Sequence, residues 1–490
     1  MSVAHKQATA QETNMATARH DYRFRPEPLW ENGRFVPPTI VPIETAVSDW
    51  DWIDWLRYMR ESSRNPLHGV THMALTEFDE IATGMGAIFF TPTRPETVRE
   101  AFVEKSGSLR HSKIRNAILK PALREGLLTA EGERWRQDRR ALAPLFTPRH
   151  VNGYADGIRN SAGPHIARLL ETDTIDFGAA MVDLTYQVLS DVMFSGELDG
   201  GRTANLREID RFLSSMGRPD PLDFTRLPEW IPRPTRIGRM GIVKRMRRQV
   251  RELAESRLTR IADGAAVPDD LLSLILSIKG DDDRPFTMEQ IEDQMITFIA
   301  AGHETTSRAL TFLFYLLSQD DAARTRLETE CDALDITRPA IEWAAALPFT
   351  YACFEEAMRL YPPAPFLSRE LKQPETLGEH DLPTGSVVFG SLWALHRHRA
   401  LWDQPDAFVP ERFLPDVRDR IGRFQYLPFG LGPHICIGAR FAQLEAIVLT
   451  ALIARQFRLT LIGDHPWPIA RVTIRPEKPL MMQIERRSQG

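Results

Sequence analysis

Three cysteines occur in 490 residues, and one of them sits where chemistry is expected. The segment Phe429-Gly430-Leu431-Gly432-Pro433-His434-Ile435-Cys436-Ile437-Gly438-Ala439-Arg440 places Cys436 at the end of a Gly-rich loop. The apolar spacing of Phe441, Leu444, Ile447, Val448 and Leu452 then predicts a helix. The positive end of a helix lowers a thiol pKa and favours the thiolate, which is both a metal ligand and a nucleophile. Gly430, Gly432 and Gly438 permit turns that side chains resist, and the close approach of a flat ligand. His434 and Arg440 add polar or positive character. Cys331 and Cys353 read as buried structural thiols. An odd, sparse set without Cys-x-x-Cys is no disulfide framework and fits a reducing compartment. Gly430-Leu431-Gly432 lacks the third glycine of a dinucleotide loop.

A second group of chemically able residues interrupts a helix. Thr287 and Gln290 form a capping-box signature, and apolar periodicity runs on to about Gln319, roughly 50 Å of helix. Such a helix should be central. Yet its middle reads Ala301-Gly302-His303-Glu304-Thr305-Thr306. Small, acidic and hydroxyl residues there are locally costly, which marks a functional position. Two plainer readings stand beside this one: a Thr hydroxyl bonded to the carbonyl four residues back, and a Glu in a buried ion pair. His303 is expected to face neighbouring helices.

Glu356-x-x-Arg359 says little alone, because Glu61–Arg64, Glu96–Arg99, Glu131–Arg134 and Glu208–Arg211 share its spacing. Its context differs. Tyr361-Pro362-Pro363-Ala364-Pro365 ends the helix at once, and Pro410-Glu411-Arg412-Phe413 follows, with Arg412 lying 24 residues before Cys436. Trp135 and Arg139 are one helical turn apart and share a face.

Taken in this order, the motifs resemble those of the cytochrome P-450 family, across residues 135 to 438. The resemblance implies a mainly α fold with minor β, a long central helix lying over haem b. It makes Cys436 the iron ligand, with Phe429, Gly430 and Gly438 bordering the haem. Trp135, Arg139, Arg369 and His434 would reach the haem edge and its propionates. Glu356, Arg359 and Arg412 would form a buried network holding the cysteine loop. Ala301 and Gly302 would leave room for dioxygen, and Glu304 and Thr305 would be the catalytic, proton-relaying residues. The pocket wall would include Phe298, Ala301, Ala364, Phe366 and Val472, with Ser108–Leu128 as a variable lid. The Phe408–Phe413 and Ala301–Thr306 spellings are similar to the fatty-acid-hydroxylating flavocytochrome branch, without its reductase domain.

The implied activity is a haem-thiolate monooxygenase that hydroxylates an apolar organic substrate, such as a fatty acid, terpenoid, steroid or aromatic. Electrons would come from a separate ferredoxin and ferredoxin reductase, docking on a face that includes Arg136, Arg140 and Arg440. Three rivals remain: a peroxide-driven peroxygenase, a haem-thiolate isomerase or dehydratase, and a non-catalytic haem sensor. The Glu304–Thr305 pair argues against each.

A net charge of -5 does not suggest a nucleic-acid binder. The basic run Lys244–Arg260 reads as a solvated helix face. No apolar run reaches the length of a membrane span, and the polar Met1–His20 segment is no signal peptide. Residues 1–21 read as a disordered tail and 22–490 as one haem domain of a soluble, cytoplasmic monomer. Phe24–Pro42 should pack in extended form, and short strands are expected near Ser386–Phe389, Val472–Ile474 and Leu480–Ile484. Phe224–Pro232 reads as a packed loop, with membrane contact as the alternative.

Overall fold

The computed structural model describes residues 24–25, 28–40, 53, 60–84, 87–169, 171–199, 240–280 and 283–487. The elements that position the site are helices α1 (Lys113–Leu123), α2 (Gly132–Leu142), α3 (Ala155–Leu169), α4 (Phe177–Phe194), α5 (Met240–Ala262), α6 (Met288–Leu317), α7 (Pro348–Leu360) and α8 (Ala439–Gln456). Five strands join them: β1 (Glu80–Gly84), β2 (Ala87–Thr91), β3 (Leu109–His111), β4 (Phe366–Leu371) and β5 (Val387–Ser391).

Helix α6 is the predicted central helix. Both halves of its capping box form: Thr287 Oγ1 accepts from Gln290 N at 3.3 Å, and Gln290 Oε1 accepts from Thr287 N at 2.8 Å. From Ile291 to Leu317 it is buried on nearly its whole circumference. Helix α4 packs so closely that a Cβ added to Gly302 would lie 3.0 Å from Leu189 Cδ1. Phe312 stacks on Tyr361, just past α7, at 4.0 Å. Each fully buried aliphatic or aromatic side chain here contributes about 1.5–3 kcal/mol over an exposed one. Only Ala301, Gly302 and Thr305 break the burial within that stretch.

The sheet runs β1-β2-β5-β4-β3, with β5 parallel to β2 and the other pairs antiparallel. Register sets His111 opposite Arg369 and Arg110 opposite Glu370. The expected C-terminal strands appear as Ile474–Pro476 and Met481–Arg486, and short strands fall within Phe24–Ile40. The 1–21 tail and the Phe224–Pro232 loop lie outside the described residues.

The basic run is not simply a solvated face. Arg247 on α5 is buried, bonded to Asp293 at 2.7 Å and to the Ala122 carbonyl at 3.0 Å. Arg257 is fully buried against Asp270 at 2.8 and 3.0 Å. Most of the run is exposed, but Arg247 and Arg257 pack inward, and buried cations persist because acids meet them.

Candidate active site

The cysteine loop is closed by its own main chain. Cys436 N donates to Phe429 O at 2.9 Å, Gly430 N to Leu427 O at 3.0 Å and Ile435 N to Gly432 O at 3.2 Å. Gly432 has φ +67°, and a Cβ there would collide with the Phe102 carbonyl, so the position requires glycine. Gly430 also has positive φ, at +72°. Gly438 has neither constraint: a Cβ on it would meet no protein atom within 4 Å, so the loop keeps open space on that side.

Cys436 is accessible, unlike the fully buried Cys331 and Cys353. Even so, burial of the sulfur raises its pKa, and the Gly438 N–H and Arg139 only oppose that rise. Desolvation thus works against the helix-terminus effect expected from the sequence, and a coordinated metal would favour the thiolate.

Five basic side chains, His434, His111, Arg115, Arg139 and Arg369, converge at the loop. Trp135 lies over His434, ring centroids 4.1 Å apart, and His111 meets the same ring edge-on at 5.1 Å. Burial, then Arg369, Arg115 and Arg139, lower the His434 pKa to about 3. Burial and Arg115 push His111 far down as well. Burial and mutual repulsion lower Arg115 to about 9, and burial lowers Arg369 to about 10; Glu131 is the acid that partly offsets both. A cleft of about 280 Å³ opens here, lined by His111, Glu131, Arg369, Leu431, Pro433 and His434. Neither ring nitrogen of the buried His111 is hydrogen-bonded at good geometry, and Arg115 Nη1 is also unmet. Orphaned buried donors among crowded cations fit an anionic group with several oxygens. Haem propionates meet that requirement, and Cys436 and the open space at Gly438 meet those of the iron and the flat ring.

His111 and Arg115 were not singled out by sequence. Both lie in the Ser108–Leu128 segment read as a lid. The C-terminal end of that segment is tied to α6. Ser112 caps α1, Leu127 N donates to Gln294 Oε1 at 2.9 Å, and a Cβ on Gly126 would collide with Thr297 and the Asp293 carbonyl of α6. Buried Asp138 accepts from Arg134 at 2.8 Å and from Gln294 at 2.9 Å, which fixes the α2 face carrying Trp135 and Arg139.

On α6 the two plainer readings of the sequence describe the side chains. Thr305 Oγ1 donates to Ala301 O at 2.9 Å. Glu304 is buried, accepting from Thr473 Oγ1 at 2.8 Å, with Arg308 at 3.6 Å. Adjacent helical positions diverge by about 100°, so Thr305 lies on the accessible stripe with Ala301 while Glu304 turns away from it. His303 is buried, edge-on to Tyr186 of α4 at 5.7 Å. Phe298 packs on Phe146 at 5.3 Å and Phe366 on Phe389 at 5.0 Å; Ala364 and Val472 are half-buried.

The charged network is complete. Fully buried Arg359 bonds Glu356 at 2.7 and 2.8 Å and the carbonyls of His396, Pro405 and Ala407 at 2.6 to 2.9 Å. Arg412 reaches Glu356 at 3.2 Å.

The chain is similar to known proteins over most of its length. The family model described as Cytochrome P450 matches residues 84–484. Cyclooctatin synthase of Streptomyces melanosporofaciens is 29% identical over 426 residues, 85% of this chain and 90% of that protein. Cytokinin hydroxylase of Arabidopsis thaliana is 27% identical over 79% of this chain and 76% of its own length. Among solved structures, the cytochrome P450 CYP102L1 superposes with a TM-score of 0.72 at 23% identity, over 88% of this chain and 94% of that one. The haem domain of cytochrome P450DA gives 0.74 at 23% identity, over 89% and 93%. With most of its length matched by the family model and a thiol, a cationic cleft and an opened central helix in one fold, the chain belongs to the cytochrome P450 family of haem-thiolate monooxygenases.

Proposed function

We propose that this monooxygenase hydroxylates a largely apolar organic substrate held against the accessible stripe of α6, with Cys436 as the iron ligand. The observation that carries the reading is the break in burial at Ala301, Gly302 and Thr305, in the middle of a helix otherwise enclosed. In the overall reaction one atom of dioxygen enters a C–H bond and the other leaves as water, consuming a pair of electrons and a pair of protons. Bound haem supplies the oxygen-activating chemistry, which thiolate ligation favours by pushing electron density toward the O–O bond.

The chain's own residues bind, aim and proton-load that chemistry. Arg139, Arg369, His434, His111 and Arg115 would hold the propionates. Phe298, Ala301, Ala364, Phe366 and Val472 make an apolar wall that favours C–H substrates over water. Thr305 has committed its proton to Ala301 O, so its lone pairs accept a hydrogen bond from a protonated group above it. Glu304 stands behind, its carboxylate held by Thr473 with Arg308 nearby, and by turning toward the stripe it would carry there a proton taken up from water.

Electrons come from a ferredoxin and its reductase, and the basic side chains Arg136, Arg140 and Arg440 suit an acidic partner. The working unit is one haem domain over residues 22–490, acting as a monomer. No helix among the described residues is long and apolar enough to cross a membrane. The test is NADPH consumption coupled to hydroxylated product, with ferredoxin and reductase supplied, over a panel of apolar candidates chosen by Soret spin-state shift. Product formed equally well from peroxide alone, or without electron consumption, contradicts the reading.

A further inference from the structure

His396 lies between the buried charged network and the cysteine loop, and bonds to both. It follows the short helix Leu392–Leu395 and is fully buried. Its carbonyl accepts from Arg359 Nη1 at 2.7 Å. Its ring Nε2 faces Leu427 N at 2.9 Å. A main-chain N–H can only donate, so Nε2 must be the bare acceptor and any ring proton sits on Nδ1. Leu427 in turn anchors the loop: its carbonyl accepts from Gly430 N at 3.0 Å, and Phe429, two residues on, accepts from Cys436 N at 2.9 Å.

The surroundings hold the ring in that role. Burial, reinforced by the flanking Arg359 and Arg397, keeps it well below the ordinary histidine pKa. Arg397 is itself fixed over Trp393, at 3.6 Å from the ring centroid. Tyr426 packs against His396 at 5.2 Å, and its hydroxyl donates to the Glu355 carbonyl of α7 at 2.9 Å. Helix α7 therefore grips the chain entering the loop at adjacent residues: Tyr426 directly, and Leu427 through His396.

We propose that His396 is a positioning residue: by accepting the Leu427 N–H it transmits the rigidity of the Glu356–Arg359–Arg412 network to the loop that carries Cys436. This rests on Cys436 being the iron ligand. Losing the acceptor leaves a buried N–H unmet, a loss felt at the loop before it is felt in the helical core.

The experiment uses the haem-loaded enzyme and three substitutions. In His396→Gln the side-chain oxygen lies close to the place of Nε2 and can accept the same bond. In His396→Asn the oxygen is too short to reach, and His396→Leu has none. The reduced, carbon-monoxide-bound protein is followed in mild denaturant, with helix content measured in parallel by circular dichroism. The Asn and Leu variants should lose the thiolate-ligated band roughly ten-fold faster than the parent, at denaturant concentrations where helix content is intact. The Gln variant should stay near the parent. If the Leu variant fails to fold, the contrast between Gln and Asn decides alone. Equal behaviour of Gln and Asn, or loss of the band only together with helix in every variant, overturns the proposal. A parent enzyme without the thiolate band would instead overturn the reading of Cys436.

Discussion

Trp135 lies across His434 with ring centroids 4.1 Å apart and planes tilted by 34°. The contact joins α2 to the cysteine loop at the cationic cleft, and Asp138, three residues on, ties the same helix to α6 through Gln294. Trp135→Ala should loosen the loop's outer wall. Haem should transfer to a competing apoprotein several-fold faster, while Trp135→Phe, which keeps an aromatic face, should lie nearer the parent. Equal transfer rates in all three proteins would remove the contact from the account.

Arg115 and His111 give a second prediction, on residues outside the sequence-derived set. Arg115→Ala or His111→Ala should weaken haem retention without moving the thiolate band, because on the proposed reading each would meet a propionate and not the iron. Haem-to-protein ratio after dialysis checks this. Unchanged retention in both variants would leave the crowded cations unexplained.

The buried network should matter for folding. Glu356 is fully buried and bonds two arginines. Removing it leaves Arg359 and Arg412 without their acid, at a cost of about 3–5 kcal/mol. Glu356→Ala should therefore accumulate poorly and unfold at markedly lower denaturant. A midpoint within the error of the parent would show the network to be dispensable.

Glu445 on α8 is buried beside Thr306, and neither carboxylate oxygen has a partner at good geometry. Burial raises its pKa from 4.5 to about 8, opposed by the Thr306 hydroxyl. The folded state thus keeps a proton that the unfolded state releases. Stability is greatest below pH 4.5 from this group and is lost as pH climbs toward 8. Glu445→Gln should flatten the fall in unfolding midpoint across that window. An unchanged pH slope would mean that the carboxyl is ionised in the fold.

Ala301 lies on the accessible stripe of α6, so Ala301→Leu should narrow the space above it. Product ratios and substrate-induced Soret shifts should both change, while the thiolate band stays. Unaltered regioselectivity with an intact band would take Ala301 out of the pocket.

Much of this was legible in the sequence because it was local. The capping box at Thr287, the loop glycines around Cys436 and the Glu356–Arg359 pair with its proline stop are short-range patterns with a mechanical meaning. What escaped depends on pairing between distant segments. His111 meets Arg369 only through the β3–β4 register, and Arg115 joins them because Gly126 lets its segment press against α6. Glu304 and Thr305 are neighbours in sequence, yet helical geometry turns one to Thr473 and the other to the accessible stripe. Arg247 and Arg257 looked like surface charges because their acids, Asp293 and Asp270, lie elsewhere in the chain.

The central claim is that Cys436 binds the iron as thiolate. The most direct measurement is the absorption spectrum of the reduced, carbon-monoxide-bound protein, for the parent and for Cys436→Ala. The account predicts the band of thiolate ligation in the parent and its complete loss in the variant. A thiolate band persisting in Cys436→Ala would contradict it.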